Sequence, residues 1–178
     1  MEFGTEREAA LYDRLKQVLC HAIVTQRLAY PQALAAYVPV LGFQLWMMRE
    51  THDDVPPLID HAVTALHAQQ QAYTQTPLPG FADYTIRPED PAARDLGTAL
   101  ATLVRESAVE HQLAVAAIWR VCLAHFAEVL AMARLDAGGQ GWDIEGFIED
   151  LREQLPPWID YWELWAGQSH ASGQEDAL

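Results

Sequence analysis

The sequence predicts an all-α fold, a single-domain helical bundle of about six to seven helices around one central buried helix. Ala and Leu dominate the 178 residues, and no run alternates polar and apolar side chains over the length of a strand. Half of the residues are hydrophobic, which is enough for one core without disulfides or metal. The stretch 113–133 has three polar side chains in 21 residues, namely Arg120, His125 and Glu128, too few for a solvated face. This stretch is therefore expected to be the central helix.

The positions of proline and of polar clusters set the expected helix boundaries. Pro31 indicates the first turn of a second helix, because proline lacks the N–H that would have no partner there. Pro39 lies inside that helix and is expected to bend or split it. Residues 92–135 are longer than most globular helices, so a break is expected near 107–111, where polar residues crowd together. The expected helices are 5–28, 31–49, 55–72, the two parts of 92–135, 143–154 and 158–165.

Three segments are expected to differ from the helices. Residues 1–5 resemble a cloning scar, so the helical domain is predicted to cover 6–166. Residues 167–178 are rich in Ser, Gly, Gln and acids and are expected to form a flexible acidic tail. Residues 73–91 hold several prolines and are expected to form a long loop. Four of its apolar side chains would pack it over the bundle: Leu78, Phe81, Tyr84 and Ile86.

The charge excludes one class of partner. The net charge is −14, with 11 basic and 25 acidic residues, whereas nucleic-acid binders need clustered Lys and Arg. The acidic excess from Asp136 onward is either a solvated face or a docking surface for a basic partner.

The stretch 113–133 is long enough to cross a membrane, but its internal charges favour a core helix. No basic and apolar leader is visible, and Cys20 and Cys122 have no redox or zinc motif. A cytoplasmic protein is expected.

Glutamate and histidine side chains carry the candidate chemistry. Glu106 and Glu110 share a helix face at i, i+4, and His125 and Glu128 share one at i, i+3. Together with His21 on the first helix, these groups are expected near a pocket between the central helices and helices one and two. If the protein is an enzyme, hydrolysis by a general base is expected. The expected bases are His21, Glu106, Glu110 and Glu128.

A metal site is the sharper alternative for the same groups. Inward-pointing Glu and His residues build di-metal sites in helical bundles, and here the ligands would be Glu106, Glu110, His125 and Glu128. The Glu-x-x-His repeats of such sites are absent. In the structural alternative, Glu106 and Glu110 pair with Arg105 or Arg120 or face water, while His125 is a hydrogen-bonded core histidine. No cofactor is predicted, since no phosphate-binding loop or nucleophile elbow is present.

Two further features have open interpretations. Glu128 sits among apolar residues, so it is either half of an ion pair, with Arg120, Arg134 or a histidine, or an acid/base group with a raised pKa. Trp158, Trp162 and Trp165 form one stripe at i, i+4, i+7. This stripe either packs into the core or forms a partner or dimer surface.

The chain also resembles a known family in the order of certain motifs. Tyr12-Asp13-x-Leu15, Leu19, Arg27-Leu28-Ala29-Tyr30-Pro31-x-x-Leu34 and Pro77-Leu78-Pro79 followed by an acidic turn and a long helix resemble one repeat of the all-helical group I 2-haloacid dehalogenases. That resemblance implies an active site between two repeats, where an Asp activates water to displace halide and an Asn assists. One repeat would then require a homodimer.

The chain departs from that pattern at the reacting residues. It contains no asparagine, and Ala22-Ile23-Val24 stands where the Asp would fall. His21 and Glu106 lie near the corresponding places. The leading hypothesis is therefore a protein that binds a small organic ligand, with hydrolysis as its candidate activity. The alternatives are a non-enzymatic protein–protein interaction protein, acting through the tryptophan stripe and the acidic end, and a helical metal-dependent oxidase.

Overall fold

The computed structural model describes residues 4–49, 55–73, 91–136 and 144–171. These ranges form six α-helices and contain no strand, which confirms the predicted all-α, single-domain class. The predicted loop at 73–91, with its four apolar side chains, lies almost entirely outside the described residues. The helices are α1 (Glu6–Gln26), α2 (Tyr30–Arg49), α3 (Val55–Tyr73), α4 (Pro91–His111), α5 (Val115–Asp136) and α6 (Ile144–Ala171).

Local hydrogen bonds fix the ends of the first helix. The Thr5 hydroxyl accepts a hydrogen bond from the Glu8 backbone N–H at 3.2 Å, and the Glu8 carboxylate accepts one from the Gly4 N–H at 3.1 Å. The Thr5 cap satisfies an N–H group that the helix itself leaves unpaired, and the Glu8 carboxylate binds the residue that precedes the cap. Arg27 ends the helix in the left-handed region, with φ of 56°.

The predicted break in 92–135 is present a few residues after its expected place. Helix α4 ends at His111, and Gln112 takes a φ of 50° before α5 begins at Val115. The Leu113 N–H then donates to the Ala108 carbonyl at 3.2 Å, which closes the end of α4. The polar cluster therefore marked the turn correctly.

Two predicted helix interruptions are absent from the described helices. Helix α2 continues as one helix through Pro39, so the predicted split is wrong, while the alternative of a bend stays a prediction. The segments 143–154 and 158–165 were predicted as two helices, but from Ile144 onward they belong to the single helix α6. Buried side chains explain the second case, because the apolar stripe keeps its phase across Pro156 and Pro157. That stripe holds both halves of α6 against the bundle, and it consists of Ile148, Leu151, Leu155 and Ile159.

The six helices are arranged as a ring of five around α2. Helix α2 contacts each of the other five, and the ring runs α4, α1, α5, α3, α6. Each neighbouring pair in this order packs together, whereas α6 and α4 make at most a marginal contact. Among the described helices, the ring therefore has one seam without close packing, between α4 and α6, and α2 lies at the bottom of this seam.

The predicted central helix, α5, is buried as expected, but it belongs to the ring, and α2 is the helix at the centre. Residues 121–127 of α5 are all buried, as are residues 33–38 of α2. Within the described residues, Val115–Ala133 is one stretch with the length and hydropathy to cross a membrane, and 72% of it is buried inside the bundle. Such burial is what the core helix of a bundle shows.

Candidate functional site

A cleft of about 300 Å³ lies at the open seam of the ring. Helix α2 forms its floor, α4 forms one wall and α6 forms the other. The floor consists of Ala35, Ala36, Pro39 and Val40; the α4 wall of Ala93, Arg94, Gly97, Thr98 and Ala101; and the α6 wall of Trp158, Tyr161 and Trp162.

Two glycines bring the walls close to the floor. A Cβ atom at Gly97 would lie 3.2 Å from the Ala36 carbonyl oxygen, so α4 approaches α2 at backbone distance there. A Cβ atom at Gly42 would lie only 2.6 Å from the Trp158 Cβ, which places α6 against α2 in the same way. The cleft is therefore held between two fixed helix contacts.

The α6 wall is aromatic and ordered by its own contacts. The Trp158 and Tyr161 rings meet edge to face with centroids 5.4 Å apart, and Tyr161 meets Trp162 in the same way at 5.2 Å. The Trp162 indole N–H donates to the Pro39 carbonyl at 3.1 Å, and its ring packs on Phe43 at 5.0 Å. The aromatic face is thus positioned before any ligand arrives.

The tryptophan stripe belongs mainly to this packing. Trp158, Trp162 and Trp165 are half-buried, and the Trp162 and Trp165 rings meet edge to face at 5.8 Å. The exposed aromatic side chain of α6 is Tyr161, which lies between them and was not singled out from the sequence. The partner-surface interpretation of the stripe stays a prediction.

Polar groups are few in the cleft. Arg94 is exposed and is the only charged residue among the described lining residues. The Thr98 hydroxyl donates to the Arg94 backbone carbonyl at 3.0 Å, so its proton is already engaged. No ion pair joins Arg94 to another described residue.

The four predicted catalytic residues do not line this cleft. Glu106 and Glu110 are exposed and face Arg14 of α1, with N–O distances of 3.8 and 3.2 Å. They therefore pair with Arg14, where Arg105 or Arg120 was expected. His21 is also exposed, and its Nδ1 lies 3.4 Å from the Thr25 hydroxyl of its own helix.

Glu128 is half of an ion pair. Its carboxylate accepts hydrogen bonds from the Tyr12 hydroxyl and from the Lys16 ammonium, the latter at 2.9 Å. Burial favours a higher pKa for Glu128, but these two hydrogen bonds outweigh it and hold the pKa below its ordinary value. The raised pKa considered for Glu128 is therefore wrong. Its expected partner Arg120 binds Glu8 at 2.9 Å.

His125 is a hydrogen-bonded core histidine. Its Nδ1 contacts the hydroxyl of Tyr37, and its ring lies edge to face with Tyr12 at 5.3 Å. Burial lowers the pKa of His125 to about 4, so the imidazole is neutral at pH 7. Burial likewise raises the pKa of Tyr37 well above its ordinary value. This cluster joins α1, α2 and α5 and lies outside the cleft.

The four predicted metal ligands are split between two places. Glu106 and Glu110 face α1 from α4, whereas His125 and Glu128 belong to the cluster with Tyr12. Within the described ranges, no three His, Cys, Asp or Glu side chains are grouped so that they could hold a metal ion.

Comparisons of the chain with protein-family models, with curated proteins and with solved structures found no match. The conclusions about function therefore depend on the geometry of the site. The sequence did contain one sign of the cleft, since Ala93, Gly97 and Ala101 form a strip of small residues at i, i+4, i+8 on α4. Such a strip indicates a helix face without large side chains, where another helix or a ligand can come close, but it does not identify the neighbouring helix.

Proposed function

We propose that the protein binds a small organic ligand in the cleft between α4 and α6. The observation that carries this proposal is a cleft of about 300 Å³ that combines an apolar floor with an aromatic wall. Ligand sites are concave, mostly apolar and largely formed in advance, with a few polar groups that fix orientation, and their volumes begin at about 300 Å³. The cleft has each of these properties.

The proposal is for binding, without a hydrolytic step at this place. The described lining residues include no His, Asp, Glu or Cys, so the cleft offers no general base or thiol nucleophile. His21, Glu106 and Glu110 are on the protein surface, and the Glu128 carboxylate is already in an ion pair with Lys16. General-base hydrolysis was a prediction from the sequence, and nothing in the cleft supports it.

A filling variant and its neighbour on the same helix test the proposal. Thr98→Phe adds a ring inside the cleft mouth, whereas Ala99→Phe adds the same ring at an exposed position that does not line the cleft. Binding of indole and 2-naphthalenemethanol would be followed by calorimetry and by the NMR signals of the tryptophan indole N–H groups. Thr98→Phe is expected to weaken binding about tenfold or more, and Ala99→Phe less than about twofold.

Two results would contradict the proposal. The first is the absence of any binding by the wild-type chain at millimolar probe. The second is binding that Thr98→Phe leaves unchanged, since the probes would then occupy another surface. Circular dichroism of both variants controls for folding.

A further inference from the structure

We infer that the ligand of this cleft is a flat, ring-containing organic anion, whose ring lies against the α6 wall and whose acid group pairs with Arg94. The inference rests on the proposed binding function and adds the chemical class of the ligand. Three observations carry it, namely the charge of the cleft, the ion-pairing of the other basic residues and the shape of the aromatic wall.

The charge of the cleft is opposite to that of the chain. The sequence carries 25 acidic and 11 basic residues, yet the one charged side chain among the described lining residues is the guanidinium of Arg94. A cationic ligand would meet no carboxylate there. A neutral ligand would form no ion pair with the guanidinium, which stays in contact with solvent because Arg94 is exposed. An anion is the class whose charge this lining complements.

Most of the other described basic residues are already engaged by the chain's own carboxylates. Five basic side chains form such ion pairs: Arg14, Lys16, Arg49, Arg120 and Arg152. Arg94 forms none with a described residue. Its planar guanidinium therefore keeps its pair of parallel N–H donors for an external carboxylate or phosphate-like group, which it can bind through two hydrogen bonds.

The position of Arg94 adds to this preference. Helix α4 begins at Pro91, so Arg94 lies in its first turn, where the helix dipole contributes partial positive charge. The dipole alone would define no site. Here it acts in the same direction as a charged side chain that already lines a cavity.

The walls select a ring over a branched chain. Trp158 and Trp162 offer aromatic surface on one side, and Ala93, Gly97 and Ala101 leave a shallow surface on the other. A flat ring can lie between them and contact Tyr161 or the tryptophans at their edges, the geometry that aromatic pairs prefer. A volume of about 300 Å³ is enough for a small ring system.

The test compares an anion with its neutral analogue on two arginine variants. The probes are 2-naphthoate and 2-naphthalenemethanol, which share the ring and differ in charge. The variants are Arg94→Gln and, as a control on an exposed arginine of the same helix outside the cleft, Arg105→Gln. Arg94→Lys keeps the positive charge but lacks the planar pair of N–H donors, so it separates the effect of charge from that of the two parallel hydrogen bonds.

The wild-type chain is expected to bind 2-naphthoate about tenfold more tightly than the alcohol. Arg94→Gln should remove this preference, so that the anion and the alcohol bind with similar affinity. Arg94→Lys should keep part of the preference, and Arg105→Gln should keep all of it. Hexanoate, which has the charge without the ring, should bind about tenfold more weakly than 2-naphthoate.

The outcomes separate the inference from the proposed function. If anion and alcohol bind equally to the wild-type chain and to Arg94→Gln, the inference is wrong and the ligand-binding function stands. If Arg105→Gln loses as much affinity as Arg94→Gln, general charge explains the effect and the inference is also wrong. If hexanoate binds as tightly as 2-naphthoate, the ring requirement fails. If no probe binds, the proposed function fails with the inference.

Discussion

The hydroxyl of Tyr37 contacts Nδ1 of His125 inside the interface between α2 and α5, where both side chains are buried. Four charged or titratable groups lie around this pair, namely Tyr12 and Lys16 on α1 and Cys122 and Glu128 on α5. Burial lowers the pKa of His125 to about 4, with Glu128 opposing the shift and Lys16 adding to it. A neutral imidazole is therefore part of the folded state.

The first prediction follows from that pKa. In the unfolded state the pKa of His125 is near 6.5, so the unfolded state binds the proton at a higher pH than the folded state does. The stability that depends on the neutral imidazole is fully present above pH 6.5 and is lost as the pH falls to about 4. The shift of the pKa corresponds to about 3 kcal/mol in the free energy of unfolding.

Urea unfolding between pH 7 and pH 4 measures this loss. His125→Gln cannot titrate, so its free energy of unfolding should fall by about 3 kcal/mol less than that of the wild-type chain over this interval. Replacement of an exposed residue, His21→Gln, should leave the wild-type pH dependence in place. Parallel curves for the wild-type chain and His125→Gln would show that the imidazole is not held neutral.

The second prediction concerns the two partners of Glu128. Tyr12 and Lys16 both donate to its carboxylate, but the Lys16 side chain is 43% exposed, so solvent screens its charge. A double-mutant cycle of Tyr12→Phe with Glu128→Met should give a coupling of about 1–2 kcal/mol, and one of Lys16→Met with Glu128→Met about 0.5 kcal/mol. A larger coupling for Lys16 would reverse this assignment.

The sequence could predict the helices better than the site. Apolar spacing, proline positions and polar clusters located α1, α2, α3 and the α4–α5 turn, because these depend on local pattern and capping. Tyr12 and Lys16 are four residues apart and so share a helix face, yet their contact with Glu128 requires α1 to be the neighbour of α5. That order around α2 is a tertiary property, which no local pattern encodes.

The cleft was missed for the same reason. Arg94 stands in the sequence as an ordinary surface residue, and Trp158 as one member of a stripe. They face each other because the ring of helices does not close between α4 and α6. The prolines at 156 and 157 led to the prediction of a helix end that the structure does not have. Such a pair usually ends a helix, but here tertiary packing keeps α6 continuous across it.

The third prediction concerns a buried amide. Gln44 lies on α2 with its side chain 2% exposed, and neither its amide nitrogen nor its amide oxygen has a partner in hydrogen-bond geometry. Its approach lowers the pKa of the buried Cys122 thiol somewhat, while burial raises that pKa to about 12. Sulfur is a weak acceptor, so an amide N–H directed at Cys122 is not compensated for its burial. We expect Gln44→Met to raise the free energy of unfolding by about 1–3 kcal/mol.

Chemical denaturation of Gln44→Met checks this expectation. Gln32→Met is a suitable control, because the Gln32 side chain accepts a hydrogen bond from the Ala29 N–H at 2.9 Å and is not fully buried. This control should be neutral or destabilised by about 1 kcal/mol. Destabilisation of Gln44→Met would mean that the amide has a partner of its own, such as a buried water.

The last prediction concerns the contact that sets the α6 wall of the cleft. A Cβ atom at Gly42 would lie 2.6 Å from the Trp158 Cβ, so Gly42→Ala must push α6 away from α2. Overpacking of this kind costs about 1–3 kcal/mol, which exceeds the gain of about 1 kcal/mol in helix propensity. Gly167→Ala is the matched control, since a Cβ at this exposed position of α6 meets nothing within 4 Å.

Thermal and urea unfolding of the two alanine variants should therefore change in opposite directions. Gly42→Ala should lower the free energy of unfolding by up to about 2 kcal/mol, which is the cost of overpacking less the gain in helix propensity. It should also weaken binding of 2-naphthalenemethanol, because displacement of α6 moves Trp158 relative to the floor. Gly167→Ala should raise stability by about 0.5–1 kcal/mol and leave binding unchanged. If Gly42→Ala were as stable as Gly167→Ala, α2 and α6 would not be in close contact at Trp158, and the aromatic wall would have to be placed elsewhere.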